Sequence, residues 1–227
     1  MSYQFDFAAL LPYWREFALG VWLTLQLSAL ATVLGFVLGT LCAIGRADGA
    51  PWLKWLIAAY VEIIRNTPLL VQVFIVYFGI ATLGIRVSAN MAAVVALVVN
   101  VGAYTSEIVR AGLESVHKAQ LEAADCLGLS RAQTYWHVIL RPAIERVYPA
   151  LTSQYVLLML ASSITSQISA EELTAVANRI QSDTFRSFET YIVVGVLYLL
   201  LSFVVRIGFW VFGLVMFVRR RKLGTAL

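Results

Sequence analysis

The residues able to do chemistry in this chain lie mostly inside long apolar runs, where each is costly. Asn100, Tyr104 and Glu107 recur at helical spacing and fall within a sector of roughly 60°. In a later run Gln154, Ser162, Thr165 and Ser169 share roughly 80° of a helix. Lipid does not tolerate such stripes, so they face a bundle interior or a pathway. Serine and threonine hydroxyls also satisfy themselves on carbonyls of the preceding turn, so part of the second stripe has a purely local explanation. The usual catalytic devices are missing: no G-x-x-x-x-G-K-[ST] phosphate loop, no His-x-x-x-His pair and no Gly-x-Ser-x-Gly turn. His117 and His137 stand apart, and Cys42 and Cys126 are distant, so neither a metal site nor a disulfide is expected. The chain is expected not to be an enzyme by itself.

The elements that hold these residues are membrane spans. Of 227 residues 60% are hydrophobic and 13% charged, too apolar for a soluble domain; mean hydropathy is +0.80. The net charge of +4 sits between apolar runs and at the C-terminus, where topology explains it better than nucleic acid does. Residues 1–16 have the composition of an interfacial segment, and with no basic n-region no cleavage is expected. An all-α membrane protein with five transmembrane helices follows, as one domain over 1–227, with spans at about 17–45, 53–83, 87–110, 147–170 and 190–218.

In the first span Gly35 and Gly39 form a small-x-x-x-small pair for close helix packing, most simply within the chain. In the second, Glu62 and Arg65 are spaced to pair, and Pro68 should bend the helix. Ser169 to Glu172 reads as a capping box for a short surface helix carrying Leu173, Val176, Ala177 and Ile180. Arg206 interrupts the fifth span and is read as structural, its flexible stem reaching a polar surface. With the N-terminus outside and the C-terminus cytoplasmic, eleven basic residues fall inside and four outside. The loop 111–146 is then cytoplasmic.

That loop reads as helix, turn, helix. Residues 118 to 127 favour a helix, and Gly128 suits a left-handed cap because it has no side chain to clash. Ser130 and Gln133 have capping-box spacing for a second helix running toward Arg141. Glu122-Ala123-Ala124, three residues, Gly128, nine residues, Val138, then Leu140 and Pro142 resembles the EAA loop of type I ABC importer permeases. Arg141 stands between the leucine and the proline, which the family pattern makes adjacent. Arg65-Asn66-Thr67-Pro68-Leu69-Leu70 and Ala103-Tyr104-Thr105-Ser106-Glu107 resemble the polar amino acid uptake branch.

The resemblance implies a permease subunit in a bacterial cytoplasmic (inner) membrane. Glu122, Ala123, Ala124 and Gly128 would dock on an ABC ATPase subunit dimer, which binds ATP-Mg; no cofactor belongs to this chain. Further implied partners are a second permease subunit, an extracytoplasmic amino acid-binding protein and membrane lipid. The family's path uses the third span, so the expected pathway residues are Leu70, Asn100, Tyr104, Gln154, Ser162 and Thr165, neutral groups suited to a zwitterion. A passive channel or carrier would not need the docking loop, and a membrane scaffold would not need two polar stripes.

Overall fold

The computed structural model describes residues 4–217, and the regular secondary structure among them is helical. A short 3-10 helix, Ala8–Tyr13, leads into α1, Trp14–Asp48, and Pro51 then opens α2, Pro51–Arg65. Proline at the first turn of a helix loses no hydrogen bond, because that N–H has no helical partner in any residue. After α3, Leu69–Thr82, comes α4, Ala89–Glu114, whose first turn is capped by the Ser88 hydroxyl. The loop holds α5, Lys118–Cys126, and α6, Arg131–Gln133. A π-helical stretch, Thr134–Leu140, joins α6 to α7, Arg141–Ala161. A 3-10 stretch, Ser162–Ile168, follows, then α8, Leu173–Thr184, and α9, Ser187–Met216.

Four helical stretches among the described residues are long and apolar enough to cross a membrane: Ala8–Asp48, Ala89–Glu114, Arg131–Ile168 and Ser187–Met216. A fifth crossing exists only if α2 and α3 together count as one. The basic run Arg219-Arg220-Arg221-Lys222 and residue 218, assigned to the fifth span, lie outside the described residues.

The main core is the seam between α1 and α4, lined by Ala92, Ala93, Ala96, Leu97 and Val101. Small residues let the backbones meet: a methyl group on Gly35 would stand 2.2 Å from Val101 Cγ1. The expected use of Gly35 and Gly39 within the chain is therefore what the packing has. A second core forms where α8 presses Leu173, Val176, Ala177 and Ile180 onto Leu10, Phe17, Met159 and Val194. Along α9 most large apolar side chains are exposed, as a lipid-facing helix requires, while Val194 and Leu201 pack inward.

Two expectations about local structure are corrected. The run 53–83 is not one bent helix, since α2 and α3 meet at 112°. The box expected at Ser169 does not form either, because Ser169 takes a left-handed conformation (φ 61°) that ends the preceding stretch. Glu172 caps α8 instead, accepting from the Ala175 N–H at 2.8 Å.

Candidate functional site

The break between α2 and α3 lies beside the middle of α4. Pro68 has no N–H, so the Ile64 carbonyl loses its helical donor, and the turn around Asn66 and Thr67 frees others. Within a bilayer such carbonyls need replacements. Asn66 Nδ2 donates to the Glu62 carbonyl at 2.8 Å, and Thr67 Oγ1 to the Ile63 carbonyl at 2.9 Å. Gln72 Nε2 donates to Ile64 O at 2.7 Å and to Thr67 O at 3.0 Å. The other end of the Gln72 amide accepts from Asn100 Nδ2 at 2.9 Å, which ties the break to α4.

Glu62 and Arg65 do not pair as their spacing suggested. Glu62 accepts from Asn66 Nδ2 at 2.9 Å, while the Arg65 guanidinium lies over the Tyr104 ring, 5.5 Å from its centroid. A cation above an aromatic face is attracted by the ring quadrupole, so Arg65 steadies Tyr104 from the α2 side.

Beside the break lies a cavity of about 360 Å³, lined by Thr67, Pro68 and Leu69 from the break and by Asn100 and Tyr104 from α4. Its far wall is Gln154, Leu157, Leu158, Ala161 and Ile164. Asn100, Tyr104 and Gln154 are half-buried, and none is charged. The lining thus offers neutral hydrogen-bonding groups from three elements against an apolar wall, which suits a small polar solute.

Three of the six expected pathway residues therefore converge, and three do not line this cavity. Leu69, one position before Leu70, forms its apolar wall; Leu70 points elsewhere and is partly exposed. Ser162 and Thr165 are fully buried, and their hydroxyls donate at 2.7 Å to the carbonyls of Met159 and Ser162. These bonds reach back three residues, as do those of Ser163 and Ser166, and the segment is 3-10 rather than α-helical. On α7 Ser162 already stands about 80° from Gln154 while Ala161 shares its face, and three residues per turn then carry Thr165 to the Ser162 side and Ile164 to the Ala161 side.

The α4 stripe divides as well. Glu107 accepts from Arg46 at the end of α1 at 3.0 Å and pairs with Arg110, which also reaches Glu114. This charged network joins α1 to α4 one turn beyond the cavity. Arg206 is exposed on α9 and does not line the cavity.

Sequence reasoning missed Gln72 and Thr67. The available signal was Pro68 itself: a proline within an apolar span orphans the carbonyl four residues back, and Gln72 is a polar side chain one turn beyond it.

The loop has the expected shape. α5 ends at Cys126 with Leu127 as its cap, and Gly128 follows with φ +68°, where no neighbouring atom limits a side chain but an L-residue would be strained. Ser130 and Gln133 form the reciprocal box, at 2.9 and 3.3 Å. Glu122 and Ala123 are exposed, whereas Ala124 is buried. The second helix does not stop at Arg141; the π-helical stretch carries it through Pro142 into α7. One continuous helix thus connects the loop to Gln154.

Comparison with known proteins bears on the whole arrangement. The family described as "binding-protein-dependent transport system inner membrane component" matches residues 35–213. The chain is 39% identical to the probable glutamine ABC transporter permease of Bacillus subtilis strain 168 over 189 residues, 83% of this chain and 88% of that one. It is 36% identical to the glutamine transport system permease of Escherichia coli strain K12 over 203 residues, covering 88% and 93%.

Among solved structures, an amino acid ABC transporter crystallised with histidines matches with a TM-score of 0.85 at 34% identity, covering 93% of this chain and 99% of that one. The inward-facing MetNI methionine ABC transporter shares the fold, with a TM-score of 0.76 at 21% identity, covering 90% and 98%. With the match running from α1 through α9, the chain belongs to the binding-protein-dependent transport system inner membrane components, as an ABC transporter permease subunit.

Proposed function

We propose that this permease carries polar amino acids into the cell through the cavity at the α2–α3 break. The observation that carries the reading is the meeting of Asn100, Tyr104 and Gln154 in one cavity whose far wall is continuous with the docking loop. The relatives named for glutamine and the neighbour crystallised with histidines support an amino acid as the solute. Ser162 and Thr165 lie behind the far wall and hold its shape, and Leu70 flanks the break.

The topology we favour has five spans, with α2 and α3 forming one broken crossing, in a bacterial inner membrane. The N-terminus is outside, the C-terminus cytoplasmic and the whole chain one domain. The excess of basic residues on the α5 side supports that orientation. Two permease subunits, this chain paired with a similar sister or with itself, line the path, and an extracytoplasmic binding protein delivers the solute. ATP-Mg is bound by the partner ATPase dimer.

Each ATPase subunit holds α5 through the surface around Glu122, Ala123, Ala124 and Gly128. Closure of that dimer draws the two loops together, and the continuous helix through the π-helical stretch carries the movement to Gln154. Such a cycle runs only if ATP binding favours one arrangement of the loops over the other, since equal affinity for both shifts nothing.

The test is ATP hydrolysis by the complex reconstituted in lipid with its ATPase and binding protein, scanned across single amino acids. One amino acid should stimulate hydrolysis, and Glu122→Lys should abolish the stimulation. An intact complex with loaded binding protein that ignores every amino acid would overturn the solute class.

A further inference from the structure

We propose that Gln72, which does not line the cavity, fixes the hydrogen-bond polarity of Asn100 within it. On this view the cavity presents a carbonyl oxygen at Asn100 and selects a solute bearing an N–H donor there, an ammonium or amide nitrogen. The inference rests on the reading of this cavity as the solute path.

Pro68 opens a chain of acceptors and donors that ends at Asn100. Gln72 is only 6% exposed. One end of its amide faces three oxygens: Ile64 O at 2.7 Å, Thr67 O at 3.0 Å and Thr67 Oγ1 at 2.9 Å. Carbonyl oxygens only accept, and the Thr67 hydroxyl proton is committed to Ile63 O at 2.9 Å. All three are therefore acceptors toward Gln72, so its nitrogen must lie on that side. The opposite orientation would press an oxygen against three acceptors in a buried place.

The Gln72 oxygen consequently points toward Asn100, 2.9 Å away, and an oxygen there demands the Asn100 nitrogen. The Asn100 amide cannot turn over without losing that bond, so Oδ1, which has no protein donor among the described residues, is held on the other branch, and Nδ2 keeps one further N–H. Asn100 lines the cavity, so that oxygen is the group a solute meets. A proline in the sequence thus sets, through two amides, which half of an asparagine is offered. A solute bringing an acceptor to Oδ1 would meet acceptor against acceptor there.

The experiment is a double-mutant cycle in the full reconstituted complex. It uses whichever of the twenty amino acids most stimulates ATP hydrolysis by the wild type, and it reads the half-saturating concentration. Gln72→Leu should raise that concentration about 10-fold, the worth of one lost hydrogen bond, by freeing the Asn100 amide to turn. In an Asn100→Leu background the same change should add nothing, because it acts only through Asn100.

Additive effects of Gln72→Leu and Asn100→Leu overturn the relay and leave the path intact. An unchanged value in Asn100→Leu removes the cavity from the path. No stimulation of the wild type by any amino acid sinks the solute class and the relay with it. Should Gln72→Leu not copurify with the ATPase, Asn100→Ser against Asn100→Leu decides. The serine hydroxyl can donate to the Gln72 oxygen and still accept from a solute, so it should retain stimulation, and equal loss in both overturns the inference.

Discussion

Gly39 of α1 lies against Gly102 of α4 so closely that a methyl group on Gly39 would stand 2.6 Å from the Gly102 carbonyl oxygen. It would also meet Thr105 Cβ at 2.5 Å and the Ser106 amide nitrogen at 2.8 Å. Overpacking among side chains costs about 1–3 kcal/mol because neighbours repack, but backbone atoms cannot. Gly39→Leu should therefore force α1 from α4 and prevent recovery of a monodisperse complex in detergent. Gly195, with no atom near its missing side chain, supplies the control, and Gly195→Ala should be recovered like the wild type. Equal recovery of the two variants would rule out this close seam.

The loop allows a graded test at Gly128. Its φ of +68° costs an ordinary L-residue about 1–2 kcal/mol, less for asparagine, and no neighbouring atom blocks a side chain. Strain, not crowding, should set the order. Solute-stimulated ATP hydrolysis should fall from glycine to asparagine to valine, with asparagine nearest wild type. A valine variant that couples like the wild type would show that the sharp turn is dispensable.

Much of this architecture is legible in the sequence, for identifiable reasons. Gly128 and the Ser130–Gln133 box are local signals, and local structure obeys them. Asn100 and Tyr104 lie on one face because α4 is regular, so helical periodicity places them correctly. The same arithmetic fails at Thr165, where the helix has tightened to 3-10 and changed its period, while Ser162, at the edge of the sector, falls on the buried side. Glu62 and Arg65 illustrate a different failure. Spacing made them partners, but the break brought Asn66 to one and Tyr104 to the other. Tertiary contacts of that kind leave no mark in the spacing.

Glu172, in the turn before α8, gives a prediction with pH. It is fully buried, its carboxylate accepting from the Ala175 N–H and, at 2.5 Å, from the Tyr198 hydroxyl. Burial raises its pKa above the ordinary value of 4.5, and the hydrogen bonds it accepts only partly offset that. The folded state therefore holds the proton more tightly than the unfolded chain. Stability is lost as pH rises from the ordinary value through the raised folded one, and the deficit is constant above it. Glu172→Gln keeps an oxygen for the Ala175 N–H, turns an N–H toward the Tyr198 oxygen, whose proton can go to Thr174 Oγ1 at 2.9 Å, and does not titrate. The variant's melting temperature should exceed wild type at pH 8, by about 2–4 °C per kcal/mol recovered, and the gain should vanish near pH 4. A gain independent of pH would assign it to something other than the buried charge.

Gln154 and Ser162 separate the two kinds of polar residue that one helical sector had grouped together. Gln154 lines the cavity, whereas the Ser162 hydroxyl is buried and spends its proton on Met159 O. Removing a side chain that bonds the solute should cost about 1–2 kcal/mol, roughly a 5- to 30-fold loss of uptake at limiting solute. Gln154→Ala should show that loss while the complex still assembles. Ser162→Ala removes a local bond worth about 1 kcal/mol of folding and should leave uptake per assembled complex within about 2-fold. The reverse pattern, with Ser162→Ala impaired and Gln154→Ala normal, would mean that the path runs on the far side of the 3-10 stretch and that the cavity at the α2–α3 break is structural. Because both residues sit on the same helical stretch, a shared folding defect would lower recovery of both variants, and only the ratio of uptake to assembled complex tells the two cases apart.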